Sequence, residues 1–141
     1  NTRHSNSNNN EIERTNECET QIIVNSMLGE FNKSGLRYSK VFRAPGFHIG
    51  VQSATALTKM GFKISGDLLH YDFLKNRVKG IKYAPFNWDL KKECKIRSGS
   101  VLAAGHTSNW TDNYFSQEKY NYVVNLLSSR QFVFKFLDEI I

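Results

Sequence analysis

The clearest indication of the fold is the segment Phe42-Arg43-Ala44-Pro45-Gly46-Phe47, which is followed by a helical pattern over residues 52–60 and then by Gly61-Phe62. Residues 38–43 have the β-branched and aromatic content of a short strand. That strand is predicted to end before Pro45, because proline cannot donate a hydrogen bond to a strand ladder. Residues 52–60 predict a helix closed by Gly61, and residues 62–65 predict the next strand.

The remainder of the chain continues this alternation of helices and strands. Apolar residues recur at intervals of three and four over residues 11–33 and predict an amphipathic helix that Gly35 ends. The other predicted elements are strands over residues 78–83, 100–103 and 132–134, a helix over residues 117–127 and a last helical turn over residues 135–141. This order indicates an α/β fold with mainly parallel strands. Sites in such folds lie at the carboxyl ends of strands, so Arg43 and His106 are the first candidates for a site.

Composition favours one globular domain over residues 1–141. Of these 141 residues, 40% are hydrophobic and 23% are charged, which is the balance of a folded chain rather than a disordered one. No apolar run approaches the length of a membrane span, and the Asn-rich segment 1–10 is predicted to be a loop without a signal-peptide pattern. The two cysteines are too few for a disulfide scaffold.

The net charge of +6 favours contact with polyanions or anionic surfaces. The basic residues are scattered singly and form no block of like charge of the kind that marks a nucleic-acid tail. Nucleic acid is therefore not the expected partner, although a basic nucleic-acid-binding or RNase-type domain remains an alternative.

Several short motifs occur along the chain in an order that is typical of one protein family. His4-Ser5-Asn6-Ser7 precedes the first predicted helix, and the segments 42–47 and 60–62 flank the second. Val101-Leu102-Ala103-Ala104-Gly105-His106 runs from the late predicted strand to a histidine, and Leu137-Asp138-Glu139-Ile140 lies near the end of the sequence. With these motifs in this order, the chain resembles the later part of the catalytic domain of polysaccharide deacetylases of the NodB homology type.

The resemblance implies part of a distorted (β/α) barrel and a metal-dependent hydrolysis of N-acetyl or O-acetyl groups on a glycan. A divalent ion, Zn²⁺ by preference, would polarise the acetyl carbonyl and lower the pKa of the attacking water. Carried over to this chain, His4 is expected to be a metal ligand and Arg43 to orient the catalytic base. His106 is expected to protonate the leaving amine.

The resemblance also implies a substrate, a location and a partner. Pro45, Leu102, Trp110 and Tyr114 are the expected substrate contacts, with Leu102 near the acetyl pocket and the two aromatic rings stacked on sugar faces. An acetylated polysaccharide or oligosaccharide, such as a cell-wall glycan, places the protein outside the cell or in its envelope. Another chain segment is expected to complete the barrel, because open parallel edges are liabilities.

Two features depart from the family pattern. Asn8 stands where the family has its second metal-binding histidine, and an amide is a poor zinc ligand. The Thr-Phe-Asp-Asp motif, which supplies the base and a metal carboxylate, is expected ahead of the His4 segment and does not occur in these 141 residues. Both departures favour the first alternative, a catalytically inactive relative that only binds glycan.

Several other residues have more than one possible role. The acidic group that tunes the catalytic histidine in the family could be Asp67, Asp72 or Asp89. His48 and His70 are interpreted as structural or exposed. A papain-like hydrolase is a further alternative, and its residues would be Cys18, His70 and either Asn87 or Asp89.

Overall fold

A computed structural model describes residues 12–90, 92–105 and 116–140. The chain divides into two compact units, one of residues up to 85 together with 137–139, and one of residues 86–136 together with Ile140. The first unit contains helices α1 (Glu17–Ser34), α2 (Val51–Lys59) and α3 (Leu68–Leu74), strands β1 (Val41–Arg43), β2 (Lys63–Asp67) and β3 (Tyr83–Phe86), and two 3₁₀ turns, Pro45–Phe47 and Leu137–Glu139. The second contains strands β4 (Trp88–Asp89) and β5 (Ala103–Ala104) and helix α4 (Gln117–Ser129).

Helix α1 starts later than the periodicity predicts because Asn16 caps it. The side chain of Asn16 accepts a hydrogen bond from the backbone N–H of Glu19 at 2.9 Å, and the Glu19 carboxylate accepts one from the Asn16 N–H at 3.1 Å. This reciprocal capping box satisfies two N–H groups that would otherwise lack partners. The predicted end of the helix is confirmed, since Gly35 takes the left-handed conformation with φ of 68°.

The predicted pair of strands around the Phe42–Phe47 segment is confirmed. Strands β1 and β2 are parallel, with Val41 opposite Lys63 and Arg43 opposite Ser65, and the sheet order is β1-β2-β3. Helix α2 connects the two strands, as expected of a parallel pair. Its Leu57 and the Ile64 side chain of β2 are completely buried in the core of this unit.

The second unit is built around a shorter parallel pair. Trp88 of β4 lies opposite Ala103 of β5, and the backbone N–H groups of Asn87 and Trp88 donate to the carbonyl oxygen of Leu102 at 3.0 and 3.3 Å. Helix α4 begins after Ser116, whose side chain accepts from the N–H of Lys119. This cap matches the predicted start of the last long helix.

The α/β class and the presence of short parallel strands are confirmed, whereas the described residues close no barrel. Several element predictions need correction. The strand predicted over residues 78–83 lies at residues 83–86, and the strand predicted over residues 100–103 lies at Ala103–Ala104. The sequence analysis predicts neither helix α3 nor strand β4, residues 132–134 form no strand, and the last helical turn is the 3₁₀ turn Leu137–Glu139. Among the described residues, no helix is long and apolar enough to cross a membrane.

Candidate functional site

The turn after β1 has an unusual backbone. Gly46 and Phe47 both have positive φ angles, 58° and 65°. Positive φ is rare for an aromatic residue, and such backbone strain is typically retained at functional sites. The exposed guanidinium of Arg43 lies 4.6 Å from the centre of the Phe47 ring, so the strained residue also supplies the surface on which the arginine rests.

Close packing against β2 fixes this turn. The N–H of Ala44 donates to the carbonyl oxygen of Ser65 at 3.0 Å, and the N–H of Phe47 donates to that of Ala44 at 2.9 Å. At Gly66 there is no space for a β-carbon, because the Phe47 carbonyl oxygen and the Tyr83 hydroxyl occupy it. The turn is therefore held at the carboxyl end of the parallel pair, where ligand sites of α/β folds form.

The residues expected from the sequence fall in three places. Arg43 and the half-buried Pro45 belong to this turn in the first unit. Leu102 belongs to the second unit, is half-buried, and its N–H donates to the Asn87 side-chain oxygen at 2.9 Å. The remaining expected site residues lie outside the described residues: His4, Asn8, His106, Trp110 and Tyr114.

The structure brings together three residues that the sequence analysis did not combine. Glu13, His48 and His70 each offer one metal-ligating atom, and these atoms lie within 4.8 Å of one another. The rings of His48 and His70 are stacked, with centroids 4.2 Å apart. All three residues are half-buried. A signal existed in the sequence, because His48 follows β1 and His70 follows β2, so both come after the carboxyl ends of neighbouring strands.

A network of hydroxyl groups holds the segment that carries Glu13. The Thr15 hydroxyl lies 2.8 Å from that of Thr20 and 2.9 Å from that of Ser53. The Ser53 hydroxyl is also within hydrogen-bonding distance of the carbonyl oxygens of Ile12, at 2.5 Å, and Thr15, at 3.2 Å. Thr20 and Ser53 are completely buried. Helices α1 and α2 thus fix the backbone on either side of Glu13.

The cluster opens into a surface cavity of about 470 Å³. Glu13 and His70 line this cavity together with the apolar side chains of Ile49, Leu69 and Phe73. Two imidazoles and one carboxylate form a donor set that suits Zn²⁺ and related transition metals. The chemistry open to this arrangement is therefore the binding of such an ion beside a small cavity.

Other candidate residues show simpler roles. Asp72 is exposed and forms an ion pair with Lys75 at 2.6 Å, and this hydrogen bond raises the pKa of Lys75. Cys18 is exposed, Cys94 is half-buried, and both thiols are free, so the two cysteines form no bridge.

Comparisons with protein-family models, with curated proteins and with solved structures find no match to this chain.

Proposed function

We propose that this chain is a carbohydrate deacetylase related to the NodB homology type, acting on N-acetyl or O-acetyl groups of a glycan. The observation that carries the proposal is the position of Arg43, exposed at the carboxyl end of β1 and resting on the strained Phe47 of a turn packed against β2. A guanidinium held in this way suits a planar carboxylate or the oxygen of an acetyl group.

The proposed reaction requires three events. Water adds to the acetyl carbonyl, the bond from that carbon to nitrogen or oxygen breaks, and the leaving group takes up a proton. Arg43 orients the carboxylate that accepts the proton of the attacking water. Because the Thr-Phe-Asp-Asp motif does not occur in these 141 residues, that carboxylate would come from the further chain segment proposed below. His106 donates the proton to the leaving group. Pro45, Leu102, Trp110 and Tyr114 are the proposed contacts to the sugar.

The donor set that the resemblance implies does not by itself fit a metal ion. His4 is the single residue of that set in this sequence, since Asn8 occupies the second histidine position, and zinc sites need three or four protein ligands. No step of the reaction is therefore assigned to an ion at His4.

The proposal extends to the finer fold, the partner and the location. Strand β1 lies at the edge of the three-stranded sheet, and this edge is where a further chain segment would pair to continue a distorted barrel. An acetylated polysaccharide or oligosaccharide as substrate places the protein outside the cell or in the cell envelope.

Acetate release tests the proposal. The substrates are N-acetylglucosamine oligomers and acetylated xylan, with added Zn²⁺ or Co²⁺ and with EDTA in a parallel reaction. We expect acetate release by the wild type, and a loss of roughly 100-fold or more in Arg43→Ala and in His106→Ala, the scale of one lost transition-state contact. The EDTA reaction measures whether the release requires a metal ion.

Arg77→Ala is the matched control, because Arg77 also rests on a phenylalanine ring, that of Phe73 at 4.0 Å. It lies after α3 rather than at the end of a strand, and it should retain wild-type activity. Folded wild-type protein that releases no acetate with either metal would overturn the proposed deacetylase activity. Binding of the same oligomers would then favour the inactive glycan-binding alternative.

A further inference from the structure

We propose that Glu13, His48 and His70 form a binding site for a divalent transition-metal ion of the Zn²⁺ class. The proposal concerns residues other than His4 and does not depend on the proposed deacetylase activity. It rests on the arrangement of the three side chains, on their chemistry and on the packing that holds their backbones.

The distances are close to those a metal ion requires. The three potential ligand atoms lie within 4.8 Å of one another. A tetrahedral zinc ion with bonds of roughly 2.0–2.1 Å places its ligand atoms about 3.3 Å apart. Side-chain rotations that change these distances by about 1.5 Å at most bring the three atoms to that spacing, and none of the three residues is fully buried.

The chemistry of the donors selects the class of ion. Imidazole nitrogens bind zinc, cobalt, nickel and copper, whereas Ca²⁺ and Mg²⁺ require mainly oxygen ligands. Zinc sites that retain an open coordination position often have two histidines and one glutamate as their protein ligands. Because Glu13 and His70 also line the surface cavity, that position is accessible to water or to a small anionic ligand.

Each ligand is carried by a backbone that packing has already fixed. The Glu13 backbone packs on Gly50, where its carbonyl oxygen leaves no space for a β-carbon. His48 is next to Ile49, which is 1% exposed. The backbone N–H of His48 donates to the Pro45 carbonyl oxygen. His70 lies on α3, which the fully buried Leu74 anchors in the core. A preorganised site of this kind loses little conformational entropy when the ion binds.

Metal titration of the full chain after removal of bound metal by a chelator tests the site. We expect one equivalent of Co²⁺ to bind with the visible absorption of a four- or five-coordinate ion, and Zn²⁺ to displace it. His48→Gln, His70→Gln and Glu13→Gln should each weaken binding by at least roughly tenfold, the effect that even an outer-shell substitution has at metal sites.

Two control variants distinguish other metal-binding groups. Cys18→Ser removes the exposed thiol, and His4→Gln removes the ligand that the deacetylase resemblance implies. Both should bind Co²⁺ as the wild type does. Binding that is lost in either control, or that survives all three cluster substitutions, would overturn the proposal.

Chemical modification of the histidines tests the same site in the wild type, without any substitution. The chain has four histidines, His4, His48, His70 and His106, and diethyl pyrocarbonate modifies accessible imidazoles. We expect Zn²⁺ to protect His48 and His70 selectively, as read by mass spectrometry of the peptides. Protection of His4 and His106 alone would contradict this site and would instead support a metal in the proposed deacetylase. Protection of His48 and His70 without acetate release would leave the metal site in place and reject the enzyme.

Discussion

The backbone carbonyl oxygen of Glu13 packs directly on Gly50, so that no β-carbon fits at residue 50. Gly50 precedes α2, with φ of −74° and ψ of 161°, a conformation that any residue adopts. The requirement for glycine here is therefore one of space. The contact joins the segment before α1 to the start of α2, and it sets the position from which the Glu13 side chain extends.

Gly50→Ala should destabilise the protein by roughly 1–3 kcal/mol, because the added methyl group displaces the Glu13 backbone. Urea unfolding followed by circular dichroism measures this change. Gly29→Ala is the control, since Gly29 lies within α1 and an added β-carbon there meets no neighbouring side chain, and it should gain about 0.5–1 kcal/mol from helix propensity. Equal stability of the two variants would contradict the packing described at Gly50.

Ser53→Ala should cost roughly 1–3 kcal/mol, because it removes a buried hydroxyl that bonds the Ile12 carbonyl oxygen and the Thr15 hydroxyl. Ser53 lies on α2 and is completely buried against the segment before α1. Thermal unfolding provides the measurement. Ser26→Ala, at an exposed position of α1, should stay within about 0.5 kcal/mol of the wild type. A Ser53→Ala variant as stable as Ser26→Ala would show that the hydroxyl network contributes nothing.

Asn16→Ala should destabilise α1 by roughly 0.5–2 kcal/mol, because it removes the side chain that accepts from the Glu19 N–H. The loss is measured as a lower urea midpoint with an unchanged slope. Asn25→Ala changes the same residue type at an exposed position inside the helix. Since it removes no cap, it should be neutral or slightly stabilising, and a comparable loss there would argue against the cap.

Leu57→Ala should cost roughly 2–5 kcal/mol, because it leaves a cavity in a closely packed core. Leu57 has no exposed surface, whereas Leu69 is 81% exposed. Leu69→Ala, with the same change in size, should alter stability by less than about 0.5 kcal/mol. Guanidinium unfolding of both variants tests the assignment of the core, which a small loss at Leu57 would refute.

Much of the fold could be predicted because its signals are local. Gly35 ends α1 through its left-handed conformation, and Pro45 ends β1 because it lacks an N–H donor. The apolar periodicity of α2 and the strand that follows required a parallel pair, and the structure has one. Helix α3 was missed because β2 runs directly into it at Leu68, with no linker to separate the two patterns.

Short strands were the least predictable elements. Strands β4 and β5 have two residues each, and residue preference locates so short a strand poorly. The predicted strand over residues 100–103 overlaps β5 at Ala103 alone, and β4 was not predicted. Residues 132–134, Phe132-Val133-Phe134, have strong strand propensity and yet form no strand, because propensity produces a strand only where a partner is available.

The candidate site also has a part that the sequence predicts and a part that it does not. The helix ends, the parallel pair and the position of Arg43 after a strand follow from local sequence patterns, because each depends on residues near one another in the chain. The meeting of Glu13, His48 and His70 is a property of the folded chain. They come from three separate segments, and their approach depends on the Gly50 contact, on the strained turn at Phe47 and on the burial of Leu74. The positions of His48 and His70 after neighbouring strands are visible in the sequence, whereas the approach of Glu13 depends on long-range packing that no local pattern displays.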